Sequence, residues 1–156
     1  MIIKIVELRS RVRAGSKFLE FDMVGGAELR KARKVVLVTG GAGFIGSHLS
    51  DRLLAQGARV RAIDAFTDFY PRPLKERNLE GLRGQDGYEF IEGDLREVDL
   101  AAALDGVTHV FHLAAQADVR VSVAQPVFDA EVNVLGSLHV LEGAREAGAR
   151  KIVFAS

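Results

Sequence analysis

The chain has 156 residues, 48% hydrophobic and 27% charged, with 21 basic and 21 acidic side chains and a formal net charge of zero. A globular chain of this length buries roughly 70% of the surface it exposes when unfolded. The absence of cysteine excludes disulfides, iron–sulfur sites and thiol catalysis, and balanced charge argues against a broad nucleic-acid or anionic-membrane footprint. No apolar run reaches the roughly 20 residues of a membrane span and no signal-peptide core opens the chain, so a cytoplasmic protein is expected.

Residues 1–33 come first and read as a basic appendage. Through Lys34 the segment carries nine basic groups against Glu7, Glu20, Asp22 and Glu28, a net of +5, which leaves −5 for the rest. It has no sustained period of 2 or 3.6, and Gly15, Gly25 and Gly26 interrupt it. Such a composition is compatible with disorder. A solvated tail, a basic arm for nucleic acid or phospholipid, and a lead-in to a start at Met23 all stay open.

From Lys34 onward short apolar runs alternate with amphipathic stretches, the rhythm of βαβ units. In chain order the pattern predicts a strand over Lys34–Thr39, a helix over Gly43–Gln56 with Ile45, Leu49 and Leu53 four apart, and a strand over Arg59–Asp64. A weak helix near Leu74–Leu82, a strand over Tyr88–Glu92 and a short helix near Val98–Leu104 follow. The last three elements are a strand over Thr108–Leu113, a long helix over Pro126–Ala147 and a strand over Lys151–Ala155. Several of the strands are near-continuous Val, Ile, Leu and Phe, as expected where helices cover both faces of a parallel sheet. The fold expected is an α/β, Rossmann-type doubly wound parallel sheet with strand order 3-2-1-4-5, spanning residues 34–156.

The most informative stretch is the first of these strands running into Gly40-Gly41-Ala42-Gly43-Phe44-Ile45-Gly46. It can be read as Gly41-x-Gly43-x-x-Gly46 or Gly40-x-x-Gly43-x-x-Gly46. Glycines here allow a tight turn, approach of the main chain to a pyrophosphate and close packing of helix on strand, while the helix N-terminus presents N–H groups to phosphate. A second strand ends 18 residues past Gly46 at Asp64, whose carboxylate can accept from both ribose hydroxyls of an adenosine and would repel a 2′-phosphate. NAD is therefore expected over NADP. Asp94 and Leu113-Ala114-Ala115-Gln116 also fall at carboxyl ends of strands, where open α/β sheets bind ligands. The His109-x-x-His112 pair does not form a metal site on a strand, because spacing three points the rings to opposite faces. Gly-x-Ser-x-Gly does not occur, and no P-loop lysine follows the glycines.

From about Val35 to its end the chain resembles the extended short-chain dehydrogenase/reductase family, in particular nucleotide-sugar epimerases and dehydratases. The matching pieces are Thr39 to His48, Gly93-Asp94-Leu95, His112 to Gln116, Asn133-Val134-Leu135-Gly136-Ser137 and Val153-Phe154-Ala155-Ser156. Val119-Arg120-x-Ser122 with Pro126 looks like UDP-glucose 4-epimerases, and Phe66-Thr67-Asp68-Phe69-Tyr70 with Leu74-Lys75 looks like UDP-glucuronate 4-epimerases.

The resemblance implies an NAD pocket. Phe44 and Ile45 offer backbone N–H groups to the pyrophosphate, Asp64 holds the adenosine ribose, and Asp94 with Leu95 flanks adenine. Leu113 to Ala117 line the nicotinamide side, braced by Asn133. In the family, hydride leaves C4 of a UDP-sugar to give a 4-keto intermediate and returns to the other face, with the tyrosine of a Tyr-x-x-x-Lys helix as base. Neither Tyr70 nor Tyr88 begins such a pair, since Leu74 and Glu92 stand four residues on. The family's catalytic Ser or Thr aligns just after Ser156. The chain is thus expected to be the cofactor half of a 4-epimerase, lacking its catalytic pair, sixth strand and substrate domain. A non-catalytic NAD-sensing module and a fragment of a nucleotide-sugar 4,6-dehydratase are the rival readings. The resemblance also implies a homodimer through the 126–147 helix, and the missing strand leaves the fifth strand as an open sheet edge, so weak stability and self-association are expected.

Overall fold

The computed structural model describes residues 3–7 and 34–155. Strand β1 is Ile3–Glu7. The repeating units then run β2 (Val35–Thr39), α1 (Phe44–Ala55), β3 (Arg59–Asp64), α2 (Arg72–Glu80), β4 (Tyr88–Glu92), α3 (Leu100–Leu104) and β5 (Val107–His112). Helices α4 (Val119–Ala124), α5 (Pro126–Ala130) and α6 (Gly136–Glu146) lead to β6 (Lys151–Ala155).

The strands form one sheet in the order β1-β6-β5-β2-β3-β4. The five strands from β2 onward are parallel to their neighbours and have the 3-2-1-4-5 order expected from the sequence. Alternation within β2 sends side chains to both faces. Leu37 joins Ile63, Leu104, Val110, Val140 and Ile152 in one buried cluster, and Val36 and Val38 join Leu53, Ala58 and Val60 in another. A sheet apolar on both faces must be covered on both, which is why the connections are helices. The order also reverses at β2, so the chain leaves β2 and β5 in opposite directions and a crevice opens between their carboxyl ends.

Helix ends follow local chemistry. Gly57 at φ +84° and Gly148 at φ +72° turn the chain out of α1 and α6, and the Ala149 amide then bonds the Ala144 carbonyl at 2.9 Å. Asp99 caps α3 by accepting from the Ala102 amide at 3.0 Å.

Three expectations need correction. The segment from Pro126 to Ala147 is not one regular helix: a π-helical turn over Glu131–Leu135 separates α5 from α6. The Asn133 side chain is drawn to the Gln116 peptide and the Ser137 hydroxyl takes the Asn133 carbonyl at 2.7 Å, side-chain bonds that compete with the regular ladder. The apolar pattern predicts no helix over Val119–Ala124, yet α4 forms there, capped by Asp118, which accepts from the Arg120 amide at 2.8 Å. Finally, β6 is not an open edge. Strand β1 pairs with it antiparallel, from Ile3 opposite Ala155 to Glu7 opposite Lys151. Part of the expected appendage therefore joins the sheet, and the rest of it, residues 1–2 and 8–33, lies outside the described residues.

Strand β1 satisfies backbone groups of β6 that would otherwise template pairing with another chain. Deleting residues 1–7 is expected to raise concentration-dependent self-association, read by sedimentation velocity over a hundredfold concentration range.

Candidate functional site

The crevice at the carboxyl ends of the strands has a volume of about 570 Å3. Its floor is the bend from β2 into α1. Gly40 takes φ +71°, and a Cβ there would lie 2.9 Å from the Ala114 nitrogen, so the backbones leaving β2 and β5 touch as only glycine permits. At Gly46 a Cβ would fall 2.2 Å from the Gly40 carbonyl oxygen. Gly43 is the N-cap of α1, with extended backbone and no side-chain cap, and no acidic residue stands in the first turn. The amides of Phe44, Ile45 and Gly46 thus have neither an intrahelical partner nor a capping side chain. Three converging donors at the positive end of a helix form a cradle for an anion. Gly40, Gly43, Phe44, Ile45 and Gly46 all line the crevice.

Asp64 closes β3 on the same crevice with a side chain only 8% exposed. Its Oδ1 accepts from the Phe66 amide at 2.8 Å and from the Lys75 ammonium at 3.1 Å. Its Oδ2 accepts only the Ala42 amide, at 3.1 Å. A carboxylate has about four lone-pair directions, so one direction on Oδ2 is left for a further donor. The turn from Asp64 to Phe66 holds Phe66 at φ +51°, an unusual conformation for an aromatic residue that this short-range bond supports.

Asp94 and Leu95 lie further along the crevice. Arg96 grips Asp94 with Nε at 3.0 Å and Nη2 at 2.7 Å and reaches Glu131 at 3.2 Å. The Arg96 hydrogen bonds hold the Asp94 carboxyl below its usual pKa, against the opposing effect of desolvation.

The far wall is Leu113, Ala114, Ala115 and Ala117. Gln116 and Asn133 are not part of the crevice surface; they stand behind it as a clasp. The Gln116 amide donates to Asn133 Oδ1 at 2.8 Å and Asn133 Nδ2 donates to the Gln116 carbonyl at 2.9 Å.

A buried relay fixes where this wall begins. Ser137 Oγ gives its one hydrogen to the Asn133 carbonyl, so at 2.9 Å it must receive the Nε2 hydrogen of His112. His112 Nδ1 is then the bare nitrogen and accepts the Thr39 hydroxyl at 2.6 Å. The Thr39 oxygen keeps its lone pairs for the amides of Leu113 and Ala114, both at 3.2 Å. The Leu113 amide also reaches the Thr39 carbonyl at 3.2 Å, and both His112 nitrogens are used. Among the described residues no group of three potential metal ligands exists.

The loop after β3 enters the sequence reading only as a family resemblance, with no place in the site. Thr67, Phe69, Tyr70 and Lys75 line the crevice, and Lys75, 6% exposed in its side chain, supplies the counter-charge of Asp64. A lysine eleven residues beyond an aspartate gives no periodic signal. A glycine bend facing a helix N-terminus, at the switch point of a doubly wound parallel sheet, defines the Rossmann class of nucleotide-binding folds. Residues 36–156 match the NAD dependent epimerase/dehydratase family, and the chain belongs to that family.

The UDP-glucose 4-epimerase of Mycolicibacterium smegmatis is 44% identical over 122 residues, which cover 77% of this chain and 37% of the relative. UDP-glucuronate 4-epimerase 2 of Arabidopsis thaliana is 40% identical over 125 residues, covering 78% of this chain and 29% of the relative. The structure is similar to that of the UDP-glucuronic acid 4-epimerase from Bacillus cereus in complex with UDP-glucuronic acid and NAD. The TM-score is 0.65 and the identity 37%, covering 70% of this chain and 36% of that one. A UDP-N-acetylglucosamine 4-epimerase from Methanobrevibacter ruminantium M1 gives a TM-score of 0.66 at 34% identity, covering 74% and 35%. The chain thus spans about a third of the length of the relatives it matches.

Gly46→Ala is expected to destabilise the fold by about 1–3 kcal/mol, because its Cβ meets a backbone carbonyl that cannot give way cheaply; urea denaturation checks this. Burial pushes the His112 pKa down from 6.5 to about 4. Between those values the unfolded chain takes up a proton that the folded chain refuses. The stability from the neutral ring is complete above pH 6.5 and is lost as pH falls, by up to about 3 kcal/mol. Urea midpoints at pH 7.5 and 4.5 should show that direction, and the His112 ring resonances should not titrate above pH 5.

Proposed function

We propose that this chain forms the NAD-binding part of a UDP-sugar 4-epimerase. The observation that carries this reading is the uncapped amide cradle of Phe44 to Gly46 in the same crevice as the Asp64 carboxylate. Both fit a dinucleotide: the cradle suits a diphosphate, and the free direction on Asp64 Oδ2 suits a ribose hydroxyl. When bound, NAD supplies a reversible hydride acceptor for the sugar carbon.

The chain's own residues do the holding. In this reading Asp94 and Leu95 border adenine, and Leu113 to Ala117 form the nicotinamide wall, kept in place by the Thr39–His112–Ser137 relay and the Gln116–Asn133 clasp. A neutral His112 lets that relay persist at neutral pH. No Tyr-x-x-x-Lys pair occurs within residues 1–156, so the reading assigns these residues cofactor binding and leaves proton transfer at the sugar unassigned. The names of the similar proteins support a UDP-sugar as the substrate of the whole enzyme.

The same reading includes a contact with a second copy through α4 to α6. Its support is exposure: Val119, Val123 and Val127 are each more than 70% exposed, and Val134, Leu135 and Leu138 about half exposed. Apolar surface of this kind marks contact sites. Val127→Lys with Val134→Lys is expected to shift sedimentation toward monomer.

Calorimetry on the 156-residue chain tests the pocket. NAD should bind more tightly than NADP, and Asp64→Asn should weaken NAD about tenfold and narrow that preference. Because the substitution strands the Lys75 ammonium, Asp64→Asn with Lys75→Met keeps the buried charge balanced and should show the same change. Equal affinity of the parent chain for both cofactors would overturn the role of Asp64.

A further inference from the structure

The loop from Ala65 to Pro71 carries an aromatic residue that the glycine motif leaves without a role. The Tyr70 hydroxyl is shut off from solvent and its O–H meets no acceptor. Leaving a buried O–H unsatisfied is unfavourable, so an orphan of this kind calls for an explanation. Its surroundings give a direction. A Cβ on Gly43 would lie 3.6 Å from the Tyr70 hydroxyl, and the side chain lines the same crevice as the α1 cradle. Phe69 meets the ring edge-on at 5.9 Å between centroids, and the Lys75 ammonium stands 5.3 Å from the ring centroid. These contacts hold the ring while leaving its oxygen next to the residue that caps α1.

Tyr88 has the same defect, a buried hydroxyl without a partner, but it packs among core residues and is not part of the crevice. Of the two, only Tyr70 lines the crevice, with its hydroxyl beside the α1 cradle. A diphosphate has acceptors and no donors, and the cradle offers it only main-chain amides.

We propose that the Tyr70 hydroxyl donates a hydrogen bond to the diphosphate of the bound dinucleotide, adding one side-chain donor to the amides of Phe44, Ile45 and Gly46. This rests on the reading that the crevice takes NAD. The hydroxyl keeps its proton at neutral pH: burial raises its pKa, the Asp64 charge raises it further, and the neighbouring Phe44 amide only partly offsets them.

The test is Tyr70→Phe in the 156-residue chain, with NAD and adenosine titrated by calorimetry and thermal unfolding followed without ligand. The NAD dissociation constant should rise about tenfold to a hundredfold, the range for a hydrogen bond to a charged acceptor. Adenosine, which has no phosphate, should bind parent and variant alike. The unliganded midpoint should stay the same or rise, since the variant loses a buried donor that had no partner. A merely structural role predicts the opposite, a lower midpoint with both ligands weakened together, and that result overturns the proposal. Unchanged NAD affinity in Tyr70→Phe overturns it while leaving the NAD reading intact. Absence of NAD binding by the parent chain overturns both.

Discussion

Contact between two stretches of backbone, where β2 and β5 end, governs this structure. Gly40 has no Cβ, and the Ala114 amide occupies the space one would take. That approach allows Thr39 to bond the Leu113 and Ala114 amides and His112 in one step. The crevice exists because these two chains then part, one into α1 and the other along the alanine wall. Its floor is therefore main chain, which offers N–H groups at fixed positions and has no rotamers to lose on binding.

The polar groups around that floor are arranged in two ways. Behind the wall, Thr39, His112, Ser137, Asn133 and Gln116 are paired among themselves. Such a network makes a single arrangement rigid, because breaking any link strands a buried group. In front, the α1 amides, one direction on Asp64 Oδ2 and the Tyr70 hydroxyl have nothing to bond. Apart from the Tyr88 hydroxyl within the core, the division between satisfied and unsatisfied groups follows the crevice surface. Unmet hydrogen-bonding capacity concentrated in one cavity is what a ligand-binding site costs the free protein.

The charged groups show why a motif alone is an incomplete account of specificity. Read in isolation, the Asp64 carboxylate is a negative charge that rejects a 2′-phosphate. In the fold it is half of a buried ion pair with Lys75, so what it presents is a directed lone pair more than a net charge. Asp94 is likewise committed to Arg96. Neither partner is marked by its spacing from the aspartate it pairs with.

The sequence by itself determined the parallel strand order, the place of the crevice and the glycine cradle. Those depend on local properties: apolar runs of strand length, helix stops at Gly57 and Gly148, and glycines where no side chain fits. It also contained Asp64 and the Gln116–Asn133 region, because strand ends and family motifs can be read along the chain. Only the tertiary structure decided that Ile3–Glu7 closes the edge of β6, that the long helix widens into a π turn at Glu131–Leu135, and that Tyr70 and Lys75 reach the site. Each of these depends on partners far away in sequence, or on side chains competing with the backbone for the same hydrogen bonds. Hydrophobic spacing records which face a residue presents but not which distant atom it meets.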